Sequence, residues 1–144
     1  MLFRSAATRF ETAADRAEAA AEAAHPGDPQ EALAALVRAH VQVLTIDVGE
    51  ASVFVHEWRA LGPDRRAQIL ARRDAYQARF RRRIEDGIAV GAFGLIDPAI
   101  AASTILSALN GIATWYDPAG RLRADRIADH LVDLTTRMLA GQPC

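Results

Sequence analysis

The sequence predicts an all-α domain, an antiparallel bundle of about six helices. Three observations carry this reading. Apolar residues recur at three- and four-residue steps along nearly the whole chain. Alanine, the residue with the best intrinsic helix propensity, is abundant throughout. Asp-Pro pairs and Gly- or Pro-containing turns punctuate the periodic segments, where helices start and stop. No segment alternates as a strand would. The nearest, Ala51 to Val55, continues its bulk at helical spacing through Trp58 and Leu61.

The first helix is expected from Leu2 to Ala24. Phe3, Ala6, Ala7, Phe10, Ala13, Ala14, Ala17 and Ala21 share one thin face, and Arg4, Arg9, Glu11, Asp15, Arg16 and Glu22 lie opposite. His25-Pro26-Gly27-Asp28 ends it. Asp28-Pro29-Gln30-Glu31 is a strong helix start, with a cap, a first-turn proline and a capping-box glutamate. Leu33, Val37, His40, Leu44 and Val48 then line one face, and Gly49 is expected to break or bend the helix. Ala51, Phe54, Val55, Trp58 and Leu61 form a short segment that Gly62-Pro63 stops. A long helix follows to about Val90, with Ile69, Arg73, Tyr76, Phe80, Ile84 and Ile88 on its stripe. Asp97-Pro98 repeats the cap-plus-proline start, and Ala101, Ala102, Ile105, Leu109, Ile112 and Tyr116 follow. Asp117-Pro118-Ala119-Gly120 reads as a turn. The last helix runs from Ala124 to Ala140, with Ile127, Leu131, Leu134 and Met138 inward.

The chain has 144 residues, of which 51% are hydrophobic and 24% charged, with a formal net charge of −1. One domain over residues 1–144 is expected, and disorder is excluded as the main state. No run of about 20 apolar residues occurs, so no membrane partner is expected. The one cysteine, Cys144, rules out a disulfide framework. With no signal-like segment at the N-terminus, a cytoplasmic location is the expectation. All 17 basic residues are arginine. They are balanced by acids, which argues against nucleic-acid binding by this segment itself.

The last two helices are apolar over more than one stripe and need cover on two sides. A homodimer through an intermolecular four-helix bundle is therefore expected, with Ile105, Leu109, Ile112, Trp115, Leu131, Leu134 and Met138 at its interface.

Enzyme signatures are missing. The sequence has no Gly-x-Ser-x-Gly elbow, no lysine for a phosphate loop and no His-Glu-x-x-His. Glu22-Ala23-Ala24-His25 has the spacing of one di-iron ligand pair, but that chemistry needs two such motifs and two more glutamates. No enzyme activity, cofactor or metal is expected. The run Arg79 to Arg83 reads as a solvated helix face with local ion pairs.

Three polar residues interrupt apolar stripes: His40, Arg73 and Asn110. An unpaired buried polar group costs about 1–3 kcal/mol, so each needs a partner. One reading is core packing, with Arg73 snorkelling or paired with Glu57 or Asp74. The other is a cavity between helices in which these groups fix the polar end of an apolar ligand. Its candidate binding residues are His40, Leu44, Phe54, Trp58, Arg73, Tyr76, Phe80 and Asn110.

Three stretches resemble the C-terminal regulatory domain of the TetR family of transcriptional repressors. Asp28-Pro29-Gln30-Glu31-Ala32-Leu33 through Val48 is similar to the family's first long pocket helix. Phe54-Val55-His56-Glu57-Trp58-Arg59-Ala60-Leu61 is similar to the Phe-x-x-Glu-Trp-x-x-Leu pattern of its acyl-CoA- and lipid-responsive branch. Ala108-Leu109-Asn110-Gly111-Ile112 through Trp115-Tyr116-Asp117-Pro118-x-Gly120 resembles that branch's dimer-helix end and turn. Arg123 departs from the Ser or Thr cap common there. The resemblance implies an effector-binding and dimerisation domain sensing an apolar small molecule such as an acyl-CoA or fatty acid. It also implies that residues 1–24 form a linker helix. DNA contact would come only through an N-terminal helix-turn-helix domain of about 50 residues, absent from this chain. The alternative is a structural helical dimerisation module with no ligand.

Overall fold

A computed structural model describes residues 2–141; the side chains of Leu2, Phe3 and Arg4, and all of Met1 and residues 142–144, Cys144 included, lie outside the described part. Its helices are α1 (Leu2–Ala24), α2 (Pro29–Ile46), α3 (Val48–Glu57), α4 (Pro63–Ala89), α5 (Pro98–Asn110), α6 (Ile112–Trp115) and α7 (Ala124–Leu139), with one 3₁₀ turn at Trp58–Ala60. No strand occurs among the described residues.

α2 is the hub and touches each of the other helices. Its buried residues, Leu33, Leu36, Val37, Ala39, His40, Val41 and Leu44 among them, cover more than one face, so it needs neighbours on several sides. Against it α1 presents Ala6, Ala7, Phe10, Ala14 and Ala21, all buried. Four of these are alanines, which let the two backbones approach closely.

The helix starts form as read. Asp28 caps α2 by accepting from the Gln30 and Glu31 N–H groups at 3.0 and 3.2 Å. Asp97 caps α5 by accepting from Ala99 and Ile100 at 2.9 and 3.0 Å. Arg123 at the start of α7 gives no side-chain cap. In the turn after α6, the Asp117 carboxylate accepts from Ala119 N–H at 2.9 Å and its carbonyl from Gly120 N–H at 2.8 Å.

Two boundaries differ from expectation. The break between α2 and α3 falls at Asp47, and Gly49 lies inside α3. Asp47 has extended backbone angles and accepts from Glu50 N–H at 3.0 Å, so it closes one helix and caps the next. The cap outweighs the glycine, and the chain turns by 109° there. The helix from Pro98 stops at Gly111 instead of running to Tyr116. The Gly111 carbonyl accepts from Thr114 N–H at 3.0 Å and from the Thr114 hydroxyl at 2.6 Å, which tightens the turn and starts α6 afresh.

α4 ends in a Schellman motif. Ala92 N–H donates to the Gly87 carbonyl at 2.8 Å and Gly91 N–H to the Ile88 carbonyl at 3.1 Å, with Gly91 at φ +78°. The chain then folds Phe93 back onto Gly87. Two of the four arginines in the run from Arg79 to Arg83, with Arg72 before it, reach across to α1. Arg79 pairs with Asp15 at 2.7 Å and Glu18 at 3.1 Å, Arg83 pairs with Glu18, and Arg72 pairs with Glu11. These pairs tie α4 to α1 along their length, while Arg81 makes a local pair with Glu85 at 3.3 Å.

No single described helix is long and apolar enough to cross a membrane.

Candidate functional site

The buried polar residue of α2 organises the site. His40 is 3% exposed and sits where α2 faces α4 and α5. Its Nε2–H donates to Asn110 Oδ1 at 2.8 Å, and its Nδ1 accepts from the Tyr76 hydroxyl at 2.7 Å. The amide oxygen can only accept, which fixes this direction of donation. Burial holds the His40 pKa at about 4, against a smaller upward pull from Asn110 and a downward one from the Arg73 charge. Burial pushes the Tyr76 phenol well above its ordinary value. Both groups are therefore uncharged at neutral pH, and both ring nitrogens of His40 are satisfied. Aromatic rings enclose it. Phe10 lies 4.8 Å from the His40 ring and 5.5 Å from Phe54, while Phe80 meets His40 edge-on at 6.2 Å.

Above the relay is a cavity of about 150 Å³. Phe10, Phe54, Val55 and Leu106 form its apolar wall, with His40, Tyr76 and Asn110 along the same lining. Arg72, Arg73, Glu11, Gln77, Ser103 and Ser107 supply the polar remainder. The two arginines differ. Arg72 donates through Nε to Glu11 at 2.9 Å and through Nη2 to Thr8 at 3.0 Å, so its charge is engaged. Arg73 forms no ion pair among the described residues, neither with Glu57 nor with Asp74. Its guanidinium instead lies 5.5 Å from the Phe54 ring centroid and 5.0 Å from that of Trp58. Burial lowers its pKa, and the nearby Arg59 charge lowers it further.

Of the residues singled out in the sequence, His40, Phe54, Arg73, Tyr76 and Asn110 line this cavity. Leu44, Trp58 and Phe80 do not. Leu44 lies one turn further along α2, wholly inside the core. Phe80 lies one turn past Tyr76 and packs behind the relay, 5.5 Å from the Tyr76 ring. Trp58 is on the far side of Arg73. Sequence reasoning missed Ala7, Phe10, Glu11, Val55, Arg72, Gln77, Ser103, Leu106 and Ser107. Phe10 was visible as the one aromatic of the α1 stripe among the described side chains; the others carry no signal of their own.

The expected interface residues divide as well. Ile105, Leu109 and Ile112 are at most 2% exposed and belong to the protomer's own core, which corrects their assignment to a dimer surface. They are the inward stripe of α5 and α6, covered within the protomer. Trp115, Leu134 and Met138 are 57%, 60% and 45% exposed, Ile100 joins them at 64%, and Leu131 is half-buried. Glu22, half of the Glu-x-x-His spacing, accepts from Gly27 N–H at 3.1 Å and closes the α1–α2 turn.

The fold is thus a helical bundle with an aromatic-walled cavity over a buried polar relay. Residues 26–139 match the family described as "Tetracyclin repressor-like, C-terminal domain", and the chain belongs to that family of transcriptional regulators. It is similar to the TetR family transcriptional regulator PfmR from Thermus thermophilus, with 26% identity and a TM-score of 0.82 over 99% of this chain and 74% of that one. A regulatory protein of the same family from Rhodococcus RHA1 gives 25% identity and a TM-score of 0.82 over 99% and 74%. AibR, solved in complex with isovaleryl coenzyme A and operator DNA, shares the fold at 24% identity and a TM-score of 0.71, over 92% of this chain and 73% of that one. No curated protein matches the sequence.

Proposed function

We propose that this chain is the effector-binding and dimerisation domain of a TetR-like regulator, and that its effector is an apolar small molecule with an acidic or thioester end. The observation that carries this is Arg73, a guanidinium without a carboxylate partner among the described residues, on the wall of an aromatic cavity. Such a cation attracts an anion or a polarised carbonyl, while Phe10, Phe54, Val55 and Leu106 favour a hydrocarbon body. A cavity of about 150 Å³ takes a group roughly the size of benzene. A short branched or cyclic acyl group fits that space, and a longer chain requires helices to part. AibR, which shares the fold, was solved with a short branched acyl thioester. The void itself disfavours the alternative of a purely structural module filled by side chains. In a regulator of this design, occupancy would be transmitted to a DNA-reading domain through α1, whose Ala7, Phe10 and Glu11 border the cavity.

Thermal unfolding with isovaleryl-CoA, isovalerate and hexanoate tests this. Ligand at 100 times its Kd stabilises by about 2.7 kcal/mol, a clear rise in Tm. Arg73→Ala is expected to weaken binding roughly tenfold or more, the worth of one charge-assisted contact. No shift with any apolar acid or thioester overturns the reading.

The exposed Ile100, Trp115, Leu134 and Met138 are the proposed dimer surface. Light scattering after gel filtration is expected to give a dimer at micromolar concentration, and Leu134→Arg a monomer. A monomeric parent chain would remove this part of the proposal.

A further inference from the structure

The cavity wall carries one internal pair of opposite charges. Glu11 is the only acid on the lining among the described residues, and it holds Arg72, which lines the same space. Arg72 donates through Nε, at 2.9 Å, and through Nη2, and both groups land on a single carboxylate oxygen, Oε1. Nη2 is shared at the same time with the Thr8 hydroxyl, at 3.0 Å. A carboxylate that meets the guanidinium fork with both oxygens makes the stronger, two-pronged pair, so Glu11 uses only half of its capacity. The pair is also open to solvent: the Arg72 and Glu11 side chains are 31% and 35% exposed, and an ion pair so placed contributes little. The other ties between α1 and α4 do not border the cavity. Asp15 and Glu18 hold Arg79 and Arg83, and none of these four lines it. They join the two helices independently of Glu11.

We infer that Glu11 is the built-in occupant of an anion seat at Arg72: the carboxylate of an effector displaces the Glu11 side chain and takes the guanidinium with both oxygens. Glu11 is then a specificity-determining residue that works as an internal competitor. This rests on the effector reading above and adds a rival that the acidic end has to beat. Arg73, beside Arg72 on the same lining, adds a second positive charge to which the guest is drawn and for which Glu11 does not compete. A neutral amide of the same shape has no charge to set against Glu11 and leaves the pair closed. The consequence is the reverse of what an ordinary structural ion pair gives, because removing Glu11 improves the binding of an anion.

Calorimetric titration of the whole chain with isovalerate and with isovaleramide, its neutral counterpart, tests this at about 0.15 M salt, where distant charges are largely screened. The proteins are the parent, Glu11→Gln, Arg72→Gln and the double variant. Glu11→Gln is expected to bind isovalerate about fivefold tighter than the parent, the worth of an exposed ion pair that no longer has to be displaced. It is expected to bind isovaleramide as the parent does, and Glu11→Ala, which removes the same charge, should repeat the pattern. Arg72→Gln should weaken isovalerate, and adding Glu11→Gln to it should bring no gain. A gain that persists without Arg72 would show Glu11 acting only as a like charge near the guest, and overturns the seat. Unchanged or weaker binding of isovalerate by both Glu11 variants also overturns it and leaves the effector reading standing. If isovalerate binds none of these proteins, the seat falls, and the effector reading rests on isovaleryl-CoA alone.

Discussion

Lowering the pH from 7 to 4 is expected to weaken the fold by about 3 kcal/mol through His40 alone. The imidazole holds its proton with a pKa of about 4 in the folded chain, against an ordinary value of 6.5 once unfolded. The unfolded chain therefore binds the extra proton first. The His40 contribution is complete above pH 6.5 and is lost progressively as the pH falls toward 4. The cause is desolvation: a cation at this position would sit among Phe10, Tyr76 and Phe80, and its Nδ1 would turn a proton toward the Tyr76 hydroxyl that now donates to it. Denaturant unfolding at pH 7, 6, 5 and 4 measures this. His40→Gln should be less stable than the parent at pH 7, because its amide cannot meet both partners at the same geometry. Its stability should depend less on pH, so the gap to the parent should narrow by about 3 kcal/mol. Parallel curves for the two proteins would show that His40 does not titrate between folded and unfolded states. Subtracting one curve from the other cancels every pH effect that the two proteins share.

Gly87→Ala is the substitution with the second large effect, a loss of about 3 kcal/mol or more. Position 87 is inside α4, where alanine would ordinarily gain up to about 1 kcal/mol over glycine. Here a Cβ would stand 2.1, 2.3 and 2.9 Å from three ring atoms of Phe93, distances no packed ring tolerates. The ring has to leave, and Phe93 is 5% exposed where it sits. Overpacking costs about 1–3 kcal/mol, and expelling a buried phenylalanine costs about 3–5. The clash outweighs the propensity gain several-fold. The double variant Gly87→Ala/Phe93→Leu should recover part of the loss, because the smaller side chain vacates the contested space. If Gly87→Ala proves neutral in chemical unfolding, the ring is not seated on that helix in solution.

Most of the helical order was legible because its punctuation is local. Asp28-Pro29 and Asp97-Pro98 each place a carboxylate beside two bare N–H groups, and both caps form at 2.9–3.2 Å. The misplaced break at Gly49 shows where such reading fails. Both Asp47 and Gly49 are capable of ending a helix, and the choice was made by whether the Asp47 carboxylate reached Glu50 N–H. For the site, His40, Tyr76 and Asn110 stood out because each puts a polar group into an apolar stripe, and the structure brings all three into one relay. Ser103, Ser107 and Leu106 gave no comparable signal, since nothing in a small or aliphatic residue distinguishes a cavity wall from ordinary core. Ile105, Leu109 and Ile112 illustrate the same limit. The width of an apolar face says that it must be covered, but not whether by its own chain or by another.

The His40–Tyr76–Asn110 relay has one more bearing on how the domain treats visitors. Both nitrogens of the imidazole are already answered, so the ring offers no thirsty atom at the base of the chamber. An arriving molecule gains little by offering a hydroxyl or an amide to His40, and one that pries the three apart forfeits what it disturbs. Under the proposed effector reading, selection among guests thus shifts to contour at the bottom and to charge at the doorway.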